Sequence, residues 1–144
     1  MKLNKIEYKE LTSRQKEIYN FQKVAAILAD YGFNCIKLSD DWQGADFLAY
    51  HKDGKNTLRI QLKSRLGIDK KYCGKNLCIA FPLKGYWYLI DHDELIIKVG
   101  QVTNWLNTNS WIEHGSYTSM SASAELLKSL RENKLEPVQP STLV

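Results

Sequence analysis

Two strand-like runs joined by an Asp-Gly turn constrain this chain more than any other feature. Ala45 to His51 and Thr57 to Arg65 are rich in apolar, β-compatible residues, and Lys52-Asp53-Gly54-Lys55 lies between them. Asp-Gly supplies the left-handed backbone that a tight hairpin needs, so the two runs are expected to pair antiparallel. The second run alternates strictly. Leu58, Ile60 and Leu62 point one way, and Arg59, Gln61, Lys63 and Arg65 the other. This pattern predicts a sheet covered on one face and open to a polar ligand on the other.

A helix precedes the hairpin. Thr12 and Gln15 have capping-box spacing. Ile18, Phe21, Val24, Ala25 and Leu28 follow as one apolar stripe, and Gly32 is placed to end the helix. Asn34 to Leu38 reads as a short strand, and Ser39 to Gly44 as a turn rich in breakers. Further on, Leu77 to Phe81 and Tyr86 to Ile90 read as strands, His92 to Trp105 as a helix, Asn107 to Tyr117 as polar loop and Ala122 to Asn133 as a last helix. The order predicts an α/β fold with a mixed central sheet flanked by helices. The 144 residues suit one domain, expected over residues 1–136, with a flexible tail over 137–144.

Composition narrows the function classes. With 44% hydrophobic and 25% charged residues the chain is neither disordered nor fibrous. A net charge of +4 permits phosphate contact without demanding it. Cys35, Cys73 and Cys78 suit a reducing compartment, and neither they nor His51, His92 and His114 have zinc-motif spacing. No apolar run is long enough for a bilayer span and no secretory leader pattern stands at the start, so cytoplasmic residence is the expectation.

Gly44-Ala45-Asp46-Phe47, followed on the next strand by Gln61-Leu62-Lys63, resembles the PD-(D/E)xK nuclease superfamily. In that family an Asp begins the second core strand, an (E/D/Q)xK element sits on the third, and an acid on the preceding helix often completes the site. The resemblance runs from Thr12 to Arg65 and implies a restriction-endonuclease-like core with a divalent-metal-dependent, DNA-cleaving site. Asp46, Gln61, the Leu62 carbonyl and Glu17 are the implied ligands of Mg2+ or Mn2+, and Lys63 orients water or stabilises developing charge. Gln61 departs from the usual Glu and removes one negative charge, so a catalytically inactive nuclease-fold protein that binds nucleic acid or a protein partner is the alternative.

Glu10, Asp30 and Gln22 are weaker candidates for the helix position. Asp40 and Asp41 are either turn residues or members of the metal shell. Arg59, Arg65, Lys70 and Lys71, with Lys63 and Lys75 beside them, form a basic cluster that suits a DNA backbone or a solvated surface. A homodimer is compatible with cutting two strands, though no residue requires it.

Overall fold

In a computed structural model describing residues 1–142, the expected helix becomes α1, Ser13–Asp30. Thr12 accepts the Gln15 amide and Gln15 returns a bond to the Thr12 amide, so both ends of the capping box are made. Gly32, at φ +86°, turns the chain out of the helix. The buried stripe is narrower than expected. Val24 and Leu28 are buried and Phe21 is half-buried, but Ile18 is exposed because the sheet does not reach under the first turns.

Strands β1 (Phe33–Trp42), β2 (Ala45–His51) and β3 (Thr57–Leu62) follow as an antiparallel meander. The turn expected over Ser39 to Gly44 shrinks to Gln43-Gly44, both left-handed at φ +53° and +88°. Such a pair closes a two-residue hairpin with the right twist. Residues 38–41 instead bulge out of β1 between the Lys37↔Phe47 and Trp42↔Ala45 partners.

Strand β4 (Leu66–Asp69) turns away to pair with the late strand β7 (Ser116–Ser119) in a separate small sheet. Strands β5 (Cys78–Leu83) and β6 (Tyr86–Asp91) return to the main sheet, whose order is β1-β2-β3-β5-β6. Only β3 and β5 pair parallel, so the sheet is mixed. The Lys63 amide bonds to the Ala80 carbonyl. The next rung of a parallel ladder would bring an amide from Pro82 to the Lys63 carbonyl, and proline has none. This explains why β3 stops at Leu62 rather than running to Arg65 as its alternation suggests.

Helices α2 (His92–Val102), α3 (Asn109–His114) and α4 (Ala124–Ser129) complete the chain. Helix α3 lies where a loop was expected. Thr108 caps it through the Trp111 amide, and Gly115 ends it at φ +75°. Two apolar layers sandwich the sheet. Phe47, Ala49, Ile60 and Ala80 pack with Val24 and Leu28 of α1 on one face. Ile79, Phe81 and Ile90 pack with Leu66, Tyr72, Leu95, Val99 and Leu126 on the other. Burying a Leu or Phe side chain contributes about 1.5–3 kcal/mol, so these layers hold the fold. Past residue 136 the chain is tied down by the Val138 amide on Asp30 Oδ2, and residues 143–144 of the expected tail lie outside the described residues.

Candidate functional site

The candidate site forms where β2 and β3 stop pairing. Their last paired residues are Phe47 and Ile60. The next positions, Asp46 and Gln61, therefore face each other across the end of the ladder. One residue further, the Leu62 amide has no β2 backbone partner and donates instead to Asp46 Oδ2 at 2.8 Å. In an extended strand the Leu62 carbonyl points toward the same side as its amide. It takes only a long contact of 3.4 Å from Gln61 Nε2.

Gln61 pairs with Ile79 of β5 and so points into the larger apolar layer. It is 8% exposed, and its Oε1 has no hydrogen-bond partner among the described residues. The expectation of an open polar face is thus corrected. Tyr72, Leu77 and Leu66 cover that face, Arg59 and Lys63 are half-buried, and Arg65 lies beyond the strand. A buried amide oxygen without a donor costs about 1–3 kcal/mol, and a cation is one partner that would relieve it.

A cavity of about 500 Å³ opens over this junction. The sheet contributes Asp46, Phe47, Gln61, Leu62 and Lys63; β1 contributes Lys37 to Asp41; and α1 contributes Arg14, Lys16, Glu17, Asn20 and Phe21. Tyr8 closes one side, its hydroxyl accepting from Asn20 at 2.9 Å and its ring lying under Lys16.

Burial pushes the Asp46 carboxyl above its ordinary pKa, as does the charge of Asp41. The Leu62 amide, Lys37 and Lys63 pull it back down. Lys63 Nζ lies 5.0 Å from the centre of the Tyr72 ring, which holds the amine beside the cavity.

The structure therefore gathers Asp46, Gln61, Leu62 and Lys63 around one cavity, with Glu17 at its rim. Glu17 is exposed and bound to Arg14 at 3.3 Å. Glu10 bonds the Glu7 amide, Asp30 bonds the Val138 amide and Gln22 is exposed; none of the three lines the cavity. Asp41 does line it, while also capping its turn through the Gly44 amide at 2.7 Å.

The basic residues around the cavity are Arg14, Lys16, Lys37 and Lys63. Arg59 reaches the Gln43 carbonyl, Lys70 lies over Trp111 and bonds the Ile112 carbonyl, Lys71 lies near Asp69, and Arg65 is exposed. None of these four lines the cavity. Lysine and arginine spacing in the sequence carries no sign of this, because α1 and β1 meet the site only after folding.

A group of three possible ligating side chains that the sequence did not suggest, Cys73, His92 and Asp93, lies at the start of α2 with its ligand atoms within 4.8 Å. Its chemistry does not fit a metal. His92 Nε2 accepts the Asp69 amide at 3.1 Å, so the neutral ring carries its proton on Nδ1, the atom that faces the group. A cation there would have to displace that proton and break the Asp69 bond.

No family model and no curated protein matches the chain. Among solved structures it is similar to Hjc, a Holliday junction resolvase from the archaeal hyperthermophile Archaeoglobus fulgidus. The two are 17% identical, the match covers 54% of this chain and 74% of that chain, and the TM-score is 0.45. A likeness at this level carries no weight for chemistry. Within this chain, the placement of a helix first, an Asp on the second strand and a Gln-x-Lys at the end of the third follows the order that the sequence resemblance implied.

Proposed function

We propose that this chain is a metal-dependent, endonuclease-like protein that hydrolyses DNA phosphodiester bonds in the cavity around Asp46. The observation that carries the reading is that one cavity is lined by a carboxylate with only Oδ2 hydrogen-bonded and by a buried amide oxygen without a partner, among the described residues. Hard divalent cations take oxygen ligands of this kind. Asp46, Gln61 and the Leu62 carbonyl would hold Mg2+ or Mn2+, with Glu17 as a further candidate ligand; the ion when bound supplies charge neutralisation and an acidified water.

The other roles belong to the side chains. Lys63 orients the attacking water or stabilises the charge that develops on the phosphoryl oxygens. Lys37, Lys16 and Arg14 bind the flanking phosphates, and the exposed Arg65 and Lys71 extend that contact. The Leu62 amide keeps Asp46 aimed into the cavity. A DNA substrate, a homodimer that cuts both strands and a cytoplasmic setting belong to the same proposal.

Cleavage of plasmid and junction-containing oligonucleotides with Mg2+ or Mn2+ tests it. We expect Asp46→Ala to abolish cleavage and Lys63→Ala to lower the rate by about 10²- to 10⁴-fold, the usual worth of a positioned proton-transfer group. Wild-type protein that cuts no substrate, or a Lys63→Ala variant as fast as wild type, rejects the reading. The neutral Gln61 favours the second reading, an inactive nuclease-fold protein that binds nucleic acid. Salt-sensitive DNA binding with no divalent-cation affinity selects that alternative.

A further inference from the structure

Gln61 leaves the proposed site one negative charge short, and the bulge in β1 sits where that charge is missing. Residues 38–41 occupy the stretch of β1 opposite the single residue Asp46. Bulges occur often beside active sites, because the extra residues re-aim side chains. Here the bulge carries Asp40 and Asp41 to the cavity wall. Asp41 is also fixed in place. Its Oδ1 accepts the Gly44 amide at 2.7 Å, and no second hydrogen bond engages Oδ2 among the described residues.

Gly44 is itself constrained, with φ +88° and an added Cβ that would meet Leu77 at 3.1 Å and Tyr72 at 3.3 Å. Asp41 lines the same cavity as Asp46 and Gln61. A second, independent sign of a ligand is Gln61, which lines the same cavity, is 8% exposed and has an Oε1 without a hydrogen-bond partner among the described residues.

We infer that Asp41, presented by the β1 bulge and locked by the Gly44 amide, is the second carboxylate of a divalent-cation site shared with Asp46 and Gln61. This rests on the proposed metal-dependent reading and assigns the charge that Gln61 lacks. Glu17, bound to Arg14 and exposed, is then a rim residue rather than a ligand.

Calorimetric titration of Mn2+ into the full chain tests the assignment. Asp41→Asn keeps the oxygen that accepts the Gly44 amide, so its circular dichroism should match wild type. We expect its Mn2+ dissociation constant to rise by at least about tenfold, the step for one lost contact of about 1.4 kcal/mol. Glu17→Gln should change it by less than about twofold. The double variant Asp41→Asn/Gln61→Glu relocates the charge and should recover most of the affinity, which a purely structural role for Asp41 would not produce.

Binding that is lost in Asp46→Asn but unchanged in Asp41→Asn overturns this inference and leaves the metal-dependent reading standing. A wild-type chain that binds no Mn2+ overturns both.

Discussion

At the scale of single residues, buried titratable groups set the most direct tests. His92 is fully buried, and burial pushes its pKa below the ordinary value, opposed in part by Asp93. The native ring stays neutral while the unfolded chain takes up a proton near pH 6.5. Stability contributed by the neutral ring is therefore present above about pH 6.5 and is lost as the pH falls toward the folded pKa. The slope is at most about 1.4 kcal/mol per pH unit. In His92→Gln an amide oxygen can still accept from Asp69. We expect that variant to lose the slope between about pH 6.5 and 5 in denaturant unfolding. An unchanged slope assigns the acid sensitivity to other groups.

The cysteines give a second test at this scale. Burial raises both Cys35 and Cys78 to about 11, with Asp91 and Glu94 adding to the effect at Cys78. Cys73 is exposed. One thiol should react quickly with Ellman's reagent at pH 8 in the native state, with Cys35 and Cys78 slower by at least about tenfold. Three equally fast thiols would contradict the partial burial of Cys35 and Cys78.

At the scale of elements, the turn after the β1 bulge makes the sharpest prediction. Gly44→Ala places a Cβ at a left-handed position already crowded by Leu77 and Tyr72. The left-handed strain alone costs about 1–2 kcal/mol. A lowered urea midpoint with an unchanged m-value would confirm a local cost of that kind; an unaltered midpoint would not fit the described turn.

How far the sequence could be read also divides by element. Helix α1, strands β2 and β6, and the Asp53-Gly54 hairpin were legible because their signals are local: a capping pair, an alternating run and a turn dipeptide. Asp46, Gln61 and Lys63 were legible for the same reason, since register on one hairpin brings them together. The β4–β7 pair was not, because four-residue strands distant in the chain carry no periodicity of their own. The β1 bulge was hidden too. Ser39 to Asp41 has the composition of a turn, and the bulge shows only once Lys37 and Trp42 on either side pair with β2. The burial of Gln61 depended on its pairing with Ile79 and on the apolar layer that Ile79 shares with Tyr72 and Leu77, which alternation within β3 cannot report.

At the scale of the whole molecule, the sheet is the divider between two separate apolar layers, and Phe47 belongs to the smaller one. It is fully buried and packs edge-on against Phe21 of α1 at 5.0 Å. Phe47→Ala should cost about 3–5 kcal/mol by thermal or urea unfolding. Because Phe47 and Phe21 also form part of the cavity wall, the same change should weaken Mn2+ binding even where the fold survives. Among the described residues no helix is long and apolar enough to cross a membrane.

Pro82 has an effect beyond its own strand. The hydrogen atom it lacks would otherwise zip β3 to β5 one rung further and draw the segment carrying Lys63 into regular sheet. A single absent donor on a neighbouring strand thus ends the ladder at the residue whose amine lies beside the cavity. Exchanging that imino acid for valine would restore the donor and allow one more rung.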